Sequence, residues 1–210
     1  MPEPDSVLAP RVVELLERIG AVLNRFGLLL VGGTALAIHL NHRRSIDLDF
    51  FGRTSFDPDE MLSDLESELG SQHLIEVVGK DQNTLSLLID GIKVDILRHP
   101  YPQVGTSRTW KGVEISSHED LAAMKLNAIT NRGAKKDFFD LFFLLEQFPL
   151  SLLLQWYGEK YANRDPFFVI QSLSYFDDAE QEPDPDLGKE ISWSEVKEKL
   201  EKAVRGLGRE

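Results

Sequence analysis

Two aspartates separated by one residue, Asp47 and Asp49, are the first place where this sequence could concentrate chemistry. They lie in Ile46-Asp47-Leu48-Asp49-Phe50-Phe51, where apolar Ile46, Leu48 and Phe50 alternate with Asp47, Asp49 and Phe51. The alternation predicts a strand over 46–51, on which residues two apart share a face. Both carboxylates would then point at one place, and a cation between them would relieve their repulsion. Mg²⁺ suits such a pair, because it prefers oxygen ligands and is usually held by one or two carboxylates together with substrate phosphates. The alternative for an isolated pair of this kind is two solvated acids at a strand end.

Gly32-Gly33-Thr34 gives the pair a context. The glycines follow the short apolar run 28–31 and precede a helical stretch, 35–40. A helix start favours anions, glycines leave backbone N–H groups uncovered, and Thr34 adds a hydroxyl. The expectation is a phosphate cradle at Gly32, Gly33 and Thr34, facing metal-binding carboxylates on the next strand. A tight turn is the plainer reading of two glycines. Asp95 is the third acid, within Lys93-Val94-Asp95-Ile96-Leu97, a second strand pattern. There it would complete a site for one or two metal ions and take the proton of an attacking hydroxyl; otherwise it marks an edge strand facing water.

These residues need elements to position them. Apolar spacing predicts a helix over 12–26 that stops at Gly27. Asp57-Pro58-Asp59-Glu60 opens another, to about Leu69, with Asp57 as cap and Glu60 completing a capping box. Strands are expected at 75–78, 84–89 and 92–97, the last two joined by the hairpin signal Asp90-Gly91, and a short one at 113–115. Ser117 and Asp120 form a second capping box before a helix through about Thr130. Helices over 135–147 and 151–161 follow, then an acidic, proline-containing linker from Asp177 to Lys189, read as mobile. An amphipathic helix over 192–205 carries Val196, Leu200 and Val204 on one face. The fold class is therefore α/β (α+β): a small mixed sheet flanked by helices, with a helical C-terminal half. Its parts are a catalytic core over 1–115, a helical region over 116–176 completing the site, and a linker with terminal helix over 177–210.

Length and composition agree with one domain of 210 residues, 42% hydrophobic and 28% charged. Without cysteine, disulfides and thiolate zinc sites are excluded. The start MPEPDSVLAP lacks the basic and apolar regions of a signal peptide, and no apolar run could span a bilayer, so a cytoplasmic protein without membrane contact is expected. The formal charge of −12 excludes a general nucleic-acid coat, while a local basic patch could still hold an RNA end.

The stretch Gly32-Gly33-Thr34-Ala35-Leu36-Ala37, followed by Arg44-Ser45-Ile46-Asp47-Leu48-Asp49-Phe50, resembles the nucleotidyltransferase superfamily of DNA polymerase beta type. More narrowly it resembles the AbiEii/AbiGii toxin family of abortive-infection and toxin–antitoxin systems. Asp95 in Lys-Val-Asp-Ile matches the superfamily's third metal carboxylate. His118 followed by Lys125, and Lys136-Asp137-Phe138-Phe139-Asp140-Leu141, match the narrower family. The resemblance covers about residues 12–147. Thr34 stands where the wider superfamily has Ser, and the hydroxyl is kept.

What the resemblance implies is a nucleotidyltransferase fold and an enzyme that moves NMP from an NTP to an acceptor hydroxyl. Asp47, Asp49 and Asp95 would hold Mg²⁺. Gly32, Gly33, Thr34, Arg44 and Ser45 would bind the nucleotide, and Lys125 a triphosphate oxygen. Asp140 would orient Lys125 or the nucleotide, and is favoured over Asp137 because its apolar neighbours Phe139 and Leu141 suggest partial burial; Asp137 could equally form a surface ion pair with Arg132 or Lys136. Arg43, Arg44, Arg132, Lys135 and Lys136 could form a basic patch for an RNA end or pyrophosphate. Phe138, Phe139, Phe142 and Phe143 are read as core, and His118 as a first-turn residue without chemistry. The enzyme would be a toxin with a cognate antitoxin, with tRNA as acceptor. Three alternatives remain at this point: a small-molecule, antibiotic-type nucleotidyltransferase, a non-catalytic nucleotide-binding module, and a metal-dependent phosphohydrolase.

Overall fold

A computed structural model describes residues 7–207, so most of the N-terminal stretch read for a leader, and the last three residues, lie outside the described chain. Helix α1 (Pro10–Arg25) starts with proline at its first position and buries Val12, Leu16, Ile19 and Leu23 along one stripe. The chain then enters β1 (Leu29–Val31), α2 (Gly32–Leu40) and β2 (Leu48–Gly52). Helix α3 (Pro58–Leu69) is capped by the Asp57 carboxylate, which accepts from the Asp59 amide. Strands β3 (Ile75–Asp81), β4 (Thr84–Ile89) and β5 (Ile92–Arg98) form a meander, and β6 (Arg108–Trp110) with β7 (Val113–Ile115) a hairpin.

Together they make a seven-stranded mixed sheet in the order β3-β4-β5-β2-β1-β7-β6. Its centre positions the acids. β2 lies parallel to β5 with Asp49 opposite Asp95, and antiparallel to β1 with Asp49 opposite Val31. In β2 the apolar residues Leu48 and Phe50 are fully buried, leaving Asp49 on the other face. Asp47 sits just ahead of β2 rather than in it, because its carbonyl is taken by the Thr34 hydroxyl instead of a neighbouring strand.

The second half is helical: α4 (His118–Asn131), α5 (Lys135–Gln147), α6 (Leu150–Lys160), α7 (Pro166–Ser172) and α8 (Trp193–Gly206). Phe138, Phe139, Phe142 and Phe143 are buried as expected. Val196 and Leu200 of α8 join the same core, with Trp193 stacked on Phe139 at 5.8 Å. No helix among the described residues is long and apolar enough to cross a membrane.

One expectation fails here. The acidic segment read as a mobile linker is docked as a strap. The Glu182 carboxylate accepts from the Lys135 amide at the start of α5, and Asp184 pairs with the Lys135 ammonium. Residues 186–188 then run antiparallel to 42–44: Arg44 N–H donates to the Asp186 carbonyl, Gly188 N–H donates to the His42 carbonyl, and Arg43 bridges to Leu187. Composition suggested a solvated chain, but backbone pairing and a helix-start carboxylate overrode it.

Candidate active site

A cleft of about 580 Å³ opens where α2, β2 and β5 meet. Asp47, Asp49 and Asp95 all line it, with Gly32, Gly33, Arg44, Ser45 and Lys125. The sequence therefore anticipated most of the wall. The structure also shows why both glycines are needed there. Gly32 has a positive φ of 68°, and a Cβ on it would lie 2.3 Å from Asp49 Oδ2. A Cβ on Gly33 would lie 2.1 Å from Arg43 Nη2. The pair thus admits one carboxylate and one guanidinium against the start of α2, whose first amides have no intrahelical acceptors. Gly-Gly-Thr forms the first turn of α2 itself rather than a turn ahead of it.

Thr34 does not line the cleft. Its side chain is buried, donates to the Asp47 carbonyl and lies 2.9 Å from the Ser45 hydroxyl. It braces the segment carrying Asp47, which corrects its expected part as a phosphate donor: its proton is already committed.

Burial, and then the neighbouring Asp95 and Asp47, push the Asp49 carboxyl above its ordinary value, although Lys125 opposes this. Asp95 Oδ2 accepts from Lys93 Nζ at 2.7 Å, and no three His, Asp or Glu side chains among the described residues are drawn tightly enough to enclose a metal ion. The donor set still fits Mg²⁺, being all carboxylate oxygen on one wall of an open cleft, with a glycine making room for Asp49. Asp47, Asp49 and Asp95 are the residues that would hold it.

Beneath this wall lies a buried charge network that sequence reasoning saw only in part. Asp140 and Asp137 are both fully buried on α5. Asp140 accepts from His42 Nε2 at 2.7 Å, from Arg43 Nε at 2.6 Å and Nη2 at 3.1 Å, and pairs with Lys125 at 2.7 Å. Asp137 takes the other side of Lys125 at 2.7 Å and a two-point contact from Arg132. It is therefore no surface ion pair, because α5 is packed against α4 along this face. Burial would raise Asp140, but Lys125, Arg43 and His42 hold it well below the carboxylate range. Burial would likewise lower Lys125, but Asp140 and Asp137 outweigh it and keep the ammonium charged. Burial keeps His42 below its ordinary value, and its Nδ1 has no partner, as suits a neutral ring donating only through Nε2.

Asp140 thus lies outside the cleft and acts through Arg43 and Lys125, which do line it. The expected basic patch divides. Arg44, Arg132 and Lys136 line the cleft, Arg43 is built into the network, and Lys135 turns away to Asp184 and the Trp193 ring. His118 does not line the cleft, and its ring lies 4.2 Å from that of His39. Lys93 and Asp186 were not anticipated as cleft residues. The lysine was legible from its two-residue offset from Asp95, whereas Asp186 carried no signal.

A family model described as nucleotidyl transferase AbiEii toxin, type IV toxin–antitoxin system, matches residues 14–205. An uncharacterized protein of Aquifex aeolicus (strain VF5) is 35% identical over 180 residues, 84% of this chain and 85% of that protein. Among solved structures, JHP933 from Helicobacter pylori is similar with a TM-score of 0.63 at 21% identity, over 96% of this chain and 94% of its own. MenT4, a nucleotidyltransferase toxin from Mycobacterium tuberculosis H37Rv, gives a TM-score of 0.64 at 14% identity, over 94% of this chain and 83% of its own. At such identities the two structures bear on the fold.

Proposed function

Given that the chain belongs to the AbiEii nucleotidyl transferase toxin family, we propose that it is a Mg²⁺-dependent enzyme transferring NMP from an NTP to a hydroxyl at the end of an RNA, tRNA being the expected acceptor. The carrying observation is the placement of Asp47, Asp49 and Asp95 on one cleft wall beside the glycine-rich start of α2.

The reaction is a displacement at the α-phosphorus. The acceptor oxygen bonds to it as the bond to the α–β bridging oxygen breaks, and pyrophosphate leaves with that electron pair. Asp47, Asp49 and Asp95 would hold Mg²⁺, which would supply charge stabilisation to the displacement. Asp95 is the base that takes the hydroxyl proton. The first amides of α2 face the phosphates as anion donors. Lys125, fixed between Asp137 and Asp140, places a permanent positive charge beside Asp49.

The rim supports a polyanionic acceptor. In a chain of formal charge −12, four accessible cations, Arg44, Lys93, Arg132 and Lys136, gather at this one cleft, the first three paired with Asp186, Asp95 and Asp137. A cationic aminoglycoside would meet these four charges, whereas an RNA end would be drawn by them. Membership of a type IV toxin family implies a cognate antitoxin as partner.

The test incubates the protein with Mg²⁺ and each labelled NTP, with total tRNA in one arm and an aminoglycoside panel in the other, beside an Asp47→Asn, Asp49→Asn variant. Label on tRNA that the variant fails to add is expected. Label on the small molecule alone would overturn the RNA reading, and release of hydrolysis products without transfer would overturn the transferase reading.

A further inference from the structure

A second cavity, of about 280 Å³, opens beside the first and shares Gly32, Asp49, Lys125 and Arg132 with it. Its character is different. One wall is aromatic: Phe51 of β2, His99 just past β5, and Tyr161 at the end of α6. The Phe51 and His99 rings lie 5.1 Å apart at 30°, and the Tyr161 hydroxyl is 3.2 Å from His99 Nε2, which fixes the imidazole. Burial lowers His99 to about 4, so the ring is neutral near pH 7 and presents an uncharged face.

The facing wall is α4, where Met124 and Ala128 form an apolar floor and Asn127 and Asn131 follow one helical turn apart. Their amides are half used. Asn127 Oδ1 accepts from Arg164 at 2.7 Å, which leaves its NH₂ as a donor. Asn131 Nδ2 donates to the Asn127 carbonyl at 2.8 Å, which leaves Oδ1 as an acceptor. A cavity lined by aromatic rings and apolar side chains, with a donor and an acceptor one helical turn apart, is complementary to a flat heterocycle carrying acceptor and donor groups.

Resting on the nucleotidyltransferase reading above, we infer that this second cavity holds the base of the donor NTP, and that Asn127 and Asn131 set which base is accepted. The donor is favoured over the acceptor's terminal base by which acids reach the cavity. Asp49 lines both spaces, while Asp95 and Asp47 line only the larger one. The hydroxyl that gives its proton to Asp95 therefore approaches from the larger cleft, and the base lies on the opposite side of the phosphates.

Equilibrium binding in Mg²⁺ without any acceptor tests this, using the full chain, the four NTPs and inorganic tripolyphosphate as the probe that has phosphates but no base. Wild-type protein is expected to bind its preferred NTP roughly tenfold or more tighter than tripolyphosphate, the order of one base–aromatic contact. Ala128→Phe, which fills the slot, should bring NTP affinity down to that of tripolyphosphate while tripolyphosphate still binds. Asn127→Ala and Asn131→Ala should narrow the spread among the four NTPs. If tripolyphosphate binds but NTPs bind no tighter, or if all three variants keep the wild-type ranking, this inference is overturned and the phosphate site stands. If neither probe binds, the nucleotidyltransferase site itself falls, and the inference with it.

Discussion

Asp140→Asn removes one charge and almost no volume, so it isolates what the buried carboxylate does. Asp140 is fully buried and receives His42, Arg43 and Lys125. The amide leaves Arg43 and Lys125 facing Asp137 as the remaining buried carboxylate of the network. Breaking a buried pair in this way costs about 3–5 kcal/mol, out of a total stability of about 5–15 kcal/mol. For a chain of this length each kcal/mol moves Tm by about 2–4 °C, so a fall of roughly 6–20 °C is expected. The comparator is Asp95→Asn. Its carboxylate meets a half-exposed lysine, so its loss should shift stability by no more than about 1 kcal/mol. Calorimetric melts at neutral pH, with nucleotidyl transfer measured on the same preparations, check both. Asp140→Asn should lose stability and transfer together, and Asp95→Asn transfer alone. An Asp140→Asn protein melting within about 2 °C of wild type would refute the network as the support of Arg43 and Lys125.

Other expectations follow from the same geometry. Asp49 is raised by burial and by Asp95, so its ionised form opposes folding at pH values above its folded pKa; Asp49→Asn should raise Tm in chelator, and added Mg²⁺ should raise Tm of wild type but not of the variant. His39 and His99 are both lowered to about 4 by burial, so stability should be full above about pH 6.5 and decline as pH falls towards 4, with His39→Gln flattening that decline in acid-unfolding curves. Gly33→Ala would drive a Cβ into Arg43 Nη2, which Asp140 prevents from retreating; a loss of about 1–3 kcal/mol by denaturant titration is expected, and none would show that Arg43 is free to move.

The acids were legible because strand chemistry is local. Alternation placed Leu48 and Phe50 inside and Asp49 outside, and the same pattern turned Val94 and Ile96 in and Asp95 out. What brings Asp49 beside Asp95 is the parallel pairing of β2 with β5, which no short window of sequence encodes. The complete burial of Asp137 and Asp140, beyond the partial burial that Phe139 and Leu141 suggested for Asp140, was hidden for a related reason. A carboxylate on a helix reads as solvated until the cations that neutralise it are known, and Arg43 and His42 arrive from nearly a hundred residues away. Helix α5 itself was legible to the residue, whereas β6 and α7, each short, were missed. That Gly33 also makes room for Arg43 was not legible, because it depends on the arginine that lies on it.

The strap carries a consequence for the order in which the protein is made. Asp47, Asp49 and Asp95 all lie in the first half of the chain, yet the rim beside Arg44 is completed by Asp186, and the segment holding Asp186 is anchored to the start of α5 and continues into α8. At about 5–20 residues added per second, the carboxylate strands are synthesised seconds before the strap. The cleft is therefore finished only after the strap has been made, so a chain stopped before it carries all three cleft aspartates and still lacks part of the wall around them.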